Sequence, residues 1–324
     1  MTNPRTIIGR KPIKLDEPPV YVGKFYRIFD FPLIQVPWGT NINYVERMIT
    51  LEKRVRPPIV DGLFYPEDSA AALAYMKETG LKRGKGGLAR AIIAPHGAWE
   101  ISGRLATAAF ASAGGRTGQK SPSRIVIMGP IHENGEEGIF LTNSHLYKTP
   151  LGDIPVDQEA SEWLESYSPM IKVNDIPHLY EHSIEVLLPF VKYCFPQTPV
   201  VPILMGGQKK QHIRVLANAL RAIFKPEMEN TLLVVSFNLG VHSKESAALN
   251  MAQECQQLFK DGRYDDLRTA FQEGRITGCG GALVAALLQS GLVDTAHPAL
   301  ASDLLLNAKG EKDRTVYYGS FLFE

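Results

Sequence analysis

Cysteine is scarce in this chain: 324 residues contain three, Cys194, Cys255 and Cys279. An odd, sparse set builds no disulfide framework and suits a reducing, cytoplasmic setting. Excess charge is also missing. The formal net charge is +1, so no overall field argues for nucleic acid or a membrane surface as a partner. No run of like charges is long enough to act as a tail. No apolar run approaches the ~20 residues of a membrane span. The first residues, MTNPRTIIGRKPIKLDEPPV, contain no apolar core of a secretory signal. Internal repeats and low-complexity segments are absent. What remains is a globular composition, 44% hydrophobic and 21% charged, long enough for one large domain or two ordinary ones.

Residues 1–56 are rich in proline, basic and aromatic side chains. The stretch FYRIFDFPLIQVPWGTNI has enough apolar content to be read as an extension that packs on the body or a partner, not a free tail. Pro57-Pro58 marks a boundary, and residues 57–324 form the main domain. There, strand patterns at 91–94, 124–128, 199–205, 231–236 and 316–323 alternate with helix patterns at 69–78, 103–112, 158–166, 212–224, 246–260 and 281–290. Residues 181–194 also read as a helix, kinked at Pro189. This alternation predicts an α/β layered sandwich, with a central largely parallel or mixed sheet flanked by helices.

Strand ends are where such folds place ligands. His96, in AIIAPHGAW, and His132, in RIVIMGPIHENG, each follow a strand and a proline. Either alone reads as a structural hydrogen-bonding group; two at matching strand ends favour a functional pocket. The run His178-x-x-Glu181-His182-x-x-Glu185 would place His178 and His182 one turn apart on a helical face. That arrangement could hold a metal, or let a carboxylate orient an imidazole; the bland alternative is a helix N-terminus with favourable acidic residues. His242, in SFNLGVHSKES, also follows a strand, with Asn238 as a hydrogen-bonding partner; a solvated loop histidine is the simpler reading. Cys279 lies between glycines ahead of a helix, a setting for a thiolate ligand or a reactive thiol. Cys194 and Cys255 read as packing residues.

In order, the chain carries FYP (64–66), APHGAWEISG (94–103), MGPIHENG (128–135), TPLGDIPVD (149–157), HLYEHSIEVLLPFVKY (178–193), VPILMG (201–206) and CGGALVAAL (279–287). This order resembles the Memo-like family, from about residue 56 to the C-terminus, with the EHSIE and TPLG blocks the most specific. The resemblance implies a fold similar to class III extradiol dioxygenases, which hold Fe(II) with two histidines and a carboxylate. It implies His96 and His132 as imidazole ligands and Cys279 as a thiolate in the carboxylate's place, with His182 as acid/base or extra ligand. Two departures stand out. The family's SSDxxHY reads SFNLGVHS here, putting Asn238 where an aspartate is usual and shifting His242. The family's CGYGPI reads CGGALV, a smaller and more apolar wall.

The resulting expectation is a metal-dependent, non-haem Fe(II) oxygenase or oxidoreductase acting on a small, aromatic substrate. In it His96, His132 and Cys279 bind metal, and His182, Glu181 and His242 do the proton chemistry. Copper or zinc would also suit a thiolate donor. The alternative is a non-catalytic metal- or peptide-binding interaction module. A metal-free hydrolase using Cys279 lacks an Asp or Asn orienter at a telling spacing. A homodimer is left open by the sequence.

Overall fold

The computed structural model describes residues 54–81, 89–113, 121–132, 136–293, 295, 302–309 and 314–323. The extension expected at 1–56 therefore lies outside the described residues, apart from 54–56. In chain order the strands are β1 (Val55–Arg56), β2 (Ala91–Ala94), β3 (Arg124–Pro130), β4 (Gly138–Leu141), β5 (Leu146–Tyr147), β6 (Ile154–Pro155), β7 (Ile171–Val173), β8 (Val200–Gly206), β9 (Thr231–Ser236), β10 (Leu239–His242), β11 (Ser302–Lys309) and β12 (Thr315–Phe323). The helices are α1 (Ser69–Glu78), α2 (Trp99–Ala113), α3 (Gln158–Tyr167), α4 (Asp175–Tyr180), α5 (Leu188–Cys194), α6 (Lys210–Phe224), α7 (Glu245–Lys260), α8 (Tyr264–Gln272) and α9 (Gly281–Ser290).

The main sheet runs β10-β12-β2-β9-β3-β8-β4-β7, with β11 paired to β12. Its centre is parallel: β2 on β9, β9 on β3 and β3 on β8. β12 and β4 flank that centre in antiparallel pairings, so the sheet is mixed. The central strands are apolar runs because both of their faces are covered. Ile93, Val126, Met128 and Val235 point to a core shared with α6, α7, α8 and α9 through Leu216, Phe259, Phe271 and Leu283. Their neighbours Ile92, Ile125, Ile127 and Val234 point the other way, onto Met76, Phe110 and Phe190 of α1, α2 and α5. The result is the layered α/β sandwich the alternation predicts. The parallel register, with Ala94 opposite Ser236 and Met128 opposite Val235, brings the carboxyl ends of β2, β9 and β3 to one edge.

Residues 181–194 depart from the expected single helix. α4 stops at Tyr180, Glu181 is extended at φ −94° and ψ 131°, and helix resumes only as a 3-10 turn at Glu185–Leu187 leading into α5. The Glu181 carboxylate accepts from the Ser183 N–H at 2.7 Å, a local bond that competes with helical pairing. Pro189 opens α5 instead of kinking a longer helix. His178 and His182 therefore do not share a helical face. His178 turns into the interior, where Nδ1 meets the Tyr147 hydroxyl at 2.9 Å and Nε2 meets the Phe140 carbonyl at 3.1 Å.

A buried ion pair pins this irregular segment. Arg56, 2% exposed, faces Glu185, 1% exposed. The guanidinium also donates to the carbonyls of His178 (2.9 Å) and Glu181 (3.0 Å). The Glu185 carboxylate accepts from the N–H groups of Ile59 and Val60 and from the Tyr65 hydroxyl. Each charge thus has its lone pairs or protons occupied, the condition under which a buried pair is tolerated. The bonds to the His178 and Glu181 carbonyls replace helical pairings that the break removes.

Two outcomes follow from these contacts. Glu185→Ala leaves the Arg56 charge buried and unpaired, and should cost about 3–5 kcal/mol in chemical denaturation; a loss below about 1 kcal/mol would show that the pair is dispensable. His178 is held neutral, mainly by burial, with a pKa of about 4 against 6.5 for the free side chain. Because the unfolded chain takes up this proton first, the stability present above pH 6.5 is lost as pH falls through the interval toward 4. At most about 3 kcal/mol is involved, at about 1.4 kcal/mol per tenfold. Urea midpoints should fall from pH 7 to pH 4.5, and His178→Gln should remove part of that fall; an identical fall in the variant counts against this origin.

Candidate metal centre

The three loops that leave β2, β3 and β9 converge, and the loop ahead of α9 closes over them. His96 follows β2 and is 1% exposed. Its Nδ1 lies 2.7 Å from the Ser236 hydroxyl, and its backbone N–H donates to Asn238 Oδ1 at 3.0 Å. Among the described residues His96 Nε2 is buried without a hydrogen-bond partner, and the ring faces His132 and His182, with centroids 5.0 and 6.0 Å away. Burial, then the nearby His132 and His182, hold the His96 pKa well below the usual histidine range. It is a neutral imidazole.

His132 follows β3. Its Nδ1 meets Glu181 Oε1 at 3.0 Å and its backbone N–H donates to Oε2 at 2.7 Å. Holding Nδ1–H on a carboxylate turns Nε2 toward Cys279. Burial works to lower the His132 pKa, but the bonds to the Cys279 sulfur and the Glu181 carboxylate outweigh it and push it up to about 10. Glu181 is held at about 2: burial opposes its charge, and the bonds and charges of His132 and His182 more than compensate.

His182 stacks on His132 with centroids 4.7 Å apart and planes 20° apart. Its Nδ1 is 3.3 Å from Glu181 Oε1, and the edge of Phe64 lies against it at 4.9 Å. One carboxylate thus holds two imidazoles. Tyr318 stands against Gly97, where a side chain would meet its ring at 2.8 Å. Burial, then the adjacent Cys279, raise its phenol pKa, so it remains protonated.

One ligand atom each from His96, His132 and Cys279 lie within 4.8 Å of one another, and so do one each from His132, Glu181 and His182. The unpartnered, buried Nε2 of His96 is the kind of atom that a metal satisfies, since leaving such a lone pair unmet is costly. His96 as a neutral imidazole, His132 backed by a carboxylate and Cys279 would together make a donor set for a transition metal, with binding displacing the protons on His132 Nε2 and the Cys279 sulfur. The residues therefore fit the ion that the sequence implies.

His242 is not drawn into this cluster. It ends β10, where its Nδ1 accepts from the Lys244 N–H at 2.9 Å. It does line the cleft of about 770 Å³ that His132 and Cys279 open into, together with Gln208, Thr277 and Arg314. Asn238 partners His96 instead of His242. Cys255 is buried, and burial with the nearby Glu254 pushes its thiol up; it is a packing residue. Phe64 and Ser183 fall within the FYP and EHSIE blocks of the sequence, which assigns them no role, and Ser236 and Tyr318 carry no motif of their own. The one signal for Ser236 was its place at the end of an apolar strand parallel to the one before His96. Nothing in the sequence pointed to Tyr318, which lies within the closing strand.

Comparison with known proteins places the chain in a family. The family model described as Memo-like protein matches residues 56–320. A MEMO1 family protein of Thermotoga neapolitana is 31% identical over 207 residues, covering 60% of this chain and 73% of that protein. Another, from Pyrobaculum aerophilum, is 28% identical over 287 residues, covering 83% of this chain and 99% of the relative. A third, from Sulfolobus acidocaldarius, is 28% identical over 240 residues, covering 72% and 82%. Among solved structures, an uncharacterized protein of Escherichia coli K12 superposes with a TM-score of 0.40 at 13% identity, covering 71% of this chain and 98% of that one. With a matched model that spans most of the chain, this protein belongs to the Memo-like family.

Proposed function

We propose that the chain binds a transition metal through His96, His132 and Cys279, and uses it as a non-haem Fe(II) oxygenase or oxidoreductase on a small, aromatic substrate. The observation that carries the reading is the buried, unpartnered Nε2 of His96, facing His132 in a cluster that includes Cys279. Iron(II), when bound, supplies open positions for O₂ and an oxygen-bearing substrate. Copper or zinc is the competing occupant, given the thiolate.

The chain's own groups divide the remaining work. Glu181 touches no substrate in this reading; it orients His132 and His182. His182, 22% exposed, accepts and returns the substrate's proton. Phe64 packs T-shaped against His182, with ring centroids 4.9 Å apart, and shields part of it. His242 lines the cleft into which His132 and Cys279 open. Gly278, Gly280, Gly281, Ala282 and Leu283 give that cleft a small wall, with room for a flat ring. Absence of turnover with metal bound would favour the non-catalytic, metal-holding reading of the same site.

Metal content after anaerobic purification is the direct test. Stoichiometric iron in the wild type, lost in both His96→Ala and Cys279→Ser, is expected, followed by O₂ consumption with members of a catechol panel. Metal retained in both variants, or none in the wild type after iron loading, would remove the basis for the proposal. Glu181→Ala frees two imidazoles at once and should weaken metal affinity about 10- to 100-fold, as read by competition with a chelator. An affinity equal to wild type would mean that the carboxylate does not orient the donors.

A further inference from the structure

We infer that Ser236 and Asn238, at the end of β9, are positioning residues for the metal donors: Ser236 fixes the tautomer of His96, and Asn238 ties His96 to the Cys279 loop. The inference rests on the metal-binding reading for its purpose, but its geometry stands independently.

Proton accounting gives the first half. Ser236 has a single hydroxyl proton. Its Oγ lies 2.7 Å from the Ser183 carbonyl oxygen, which can only accept. The proton goes there, so the Ser236 oxygen has only lone pairs to offer His96. At 2.7 Å, His96 Nδ1 must therefore be the donor. A neutral imidazole carries one N–H, which leaves Nε2 as a bare lone pair, and this is the atom found buried without a partner. The relay continues: the Ser183 hydroxyl donates to the Pro130 carbonyl at 2.7 Å, two residues before His132. Three hydrogen bonds thus link His96, through Ser236 and then the backbone carbonyl and side-chain hydroxyl of Ser183, to the last residue of β3, two positions before His132.

Asn238 supplies the second half. Its side-chain oxygen accepts the His96 backbone N–H at 3.0 Å, and its own backbone N–H donates to the Cys279 carbonyl at 3.0 Å. One residue thereby holds the backbones of two donors that lie far apart in the chain. The glycines beside Cys279 show how closely the loop lies on this segment. A Cβ on Gly280 would come within 2.5 Å of the Ser236 carbonyl oxygen, and one on Gly278 within 2.5 Å of the Asn238 carbonyl oxygen. These are backbone atoms that cannot step aside. Gly280 also has φ +95°, a region costly for other residues. The glycines that the sequence suggests as access to a thiol serve here to let the Cys279 loop lie on the end of β9.

The test uses the full-length protein and reads the tautomer directly. In metal-free, ¹⁵N-histidine-labelled wild type at neutral pH, NMR should show His96 protonated at Nδ1 and bare at Nε2, with the signal assigned by its loss in His96→Gln. Ser236→Ala should lose this single-tautomer signature, and its affinity for Co(II) should fall about 10- to 100-fold, with a weakened thiolate-to-metal absorption band. Asn238→Ala should keep the tautomer but weaken the same band. A wild-type His96 protonated at Nε2 overturns the inference, whether or not the variants fold. So does a folded Ser236→Ala that binds Co(II) with wild-type affinity and spectrum. The expected tautomer in a wild type that takes up no Co(II) would support the Ser236 relay and count against the metal-binding reading alone.

Discussion

The carboxylate of Glu181 is the constraint on which the site depends. It is 4% exposed, and it accepts from the backbone and ring of His132 and from the Ser183 N–H, while His182 lies beside it. A buried carboxylate is costly unless its oxygens are satisfied, and this one is satisfied by residues of the site itself. The same bonds that make its burial tolerable turn His132 toward Cys279 and stack His182 on His132. They also end the helical run at Tyr180, because the Ser183 N–H goes to the carboxylate and not to a helical carbonyl.

Support for this arrangement comes from two sides. From outside the main sheet, Arg56 holds the irregular segment by donating to the backbone carbonyls of His178 and Glu181 and pairing with Glu185, whose carboxylate accepts from the Ile59 and Val60 N–H groups. From within the sheet, the parallel pairing of β2, β9 and β3 brings their carboxyl ends to one edge. His96, Ser236 with Asn238, and His132 all emerge there. The strands are rigid because both faces are packed, so donors one or two residues beyond their ends inherit a fixed position. The Cys279 loop has no such strand. It is placed by its contact with the end of β9, which glycines on either side of the cysteine permit.

Much of this was legible in the sequence. Apolar strands alternating with amphipathic helices determine a layered α/β fold, because each element must bury its apolar face against another. The bounds of α1, β2, β9 and α9 agree with the pattern read from the chain. The short strands β5 and β6 carried too little periodicity to be read, whereas α8 does show helical spacing, in Tyr264, Leu267, Ala270 and Phe271, and is absent from the helix patterns read from the chain. Histidines just past two strands, and a cysteine between glycines, are the residues that the fold brings into one cluster. The helical reading of residues 181–194 failed because hydrophobic spacing reports which residues are buried. It does not report that a carboxylate would take a backbone N–H out of the helix.

What the sequence by itself determined is therefore the layered fold and the kinds of donor available at its strand ends. Only the tertiary structure decided which nitrogen each imidazole presents, and that His178 belongs to the interior while His182 belongs to the site. The reason is that ring orientation is set by partners remote in the chain. His96 and Ser236 are 140 positions apart in sequence and 2.7 Å apart in space, and no local pattern encodes a bond that exists only once the sheet has paired its strands.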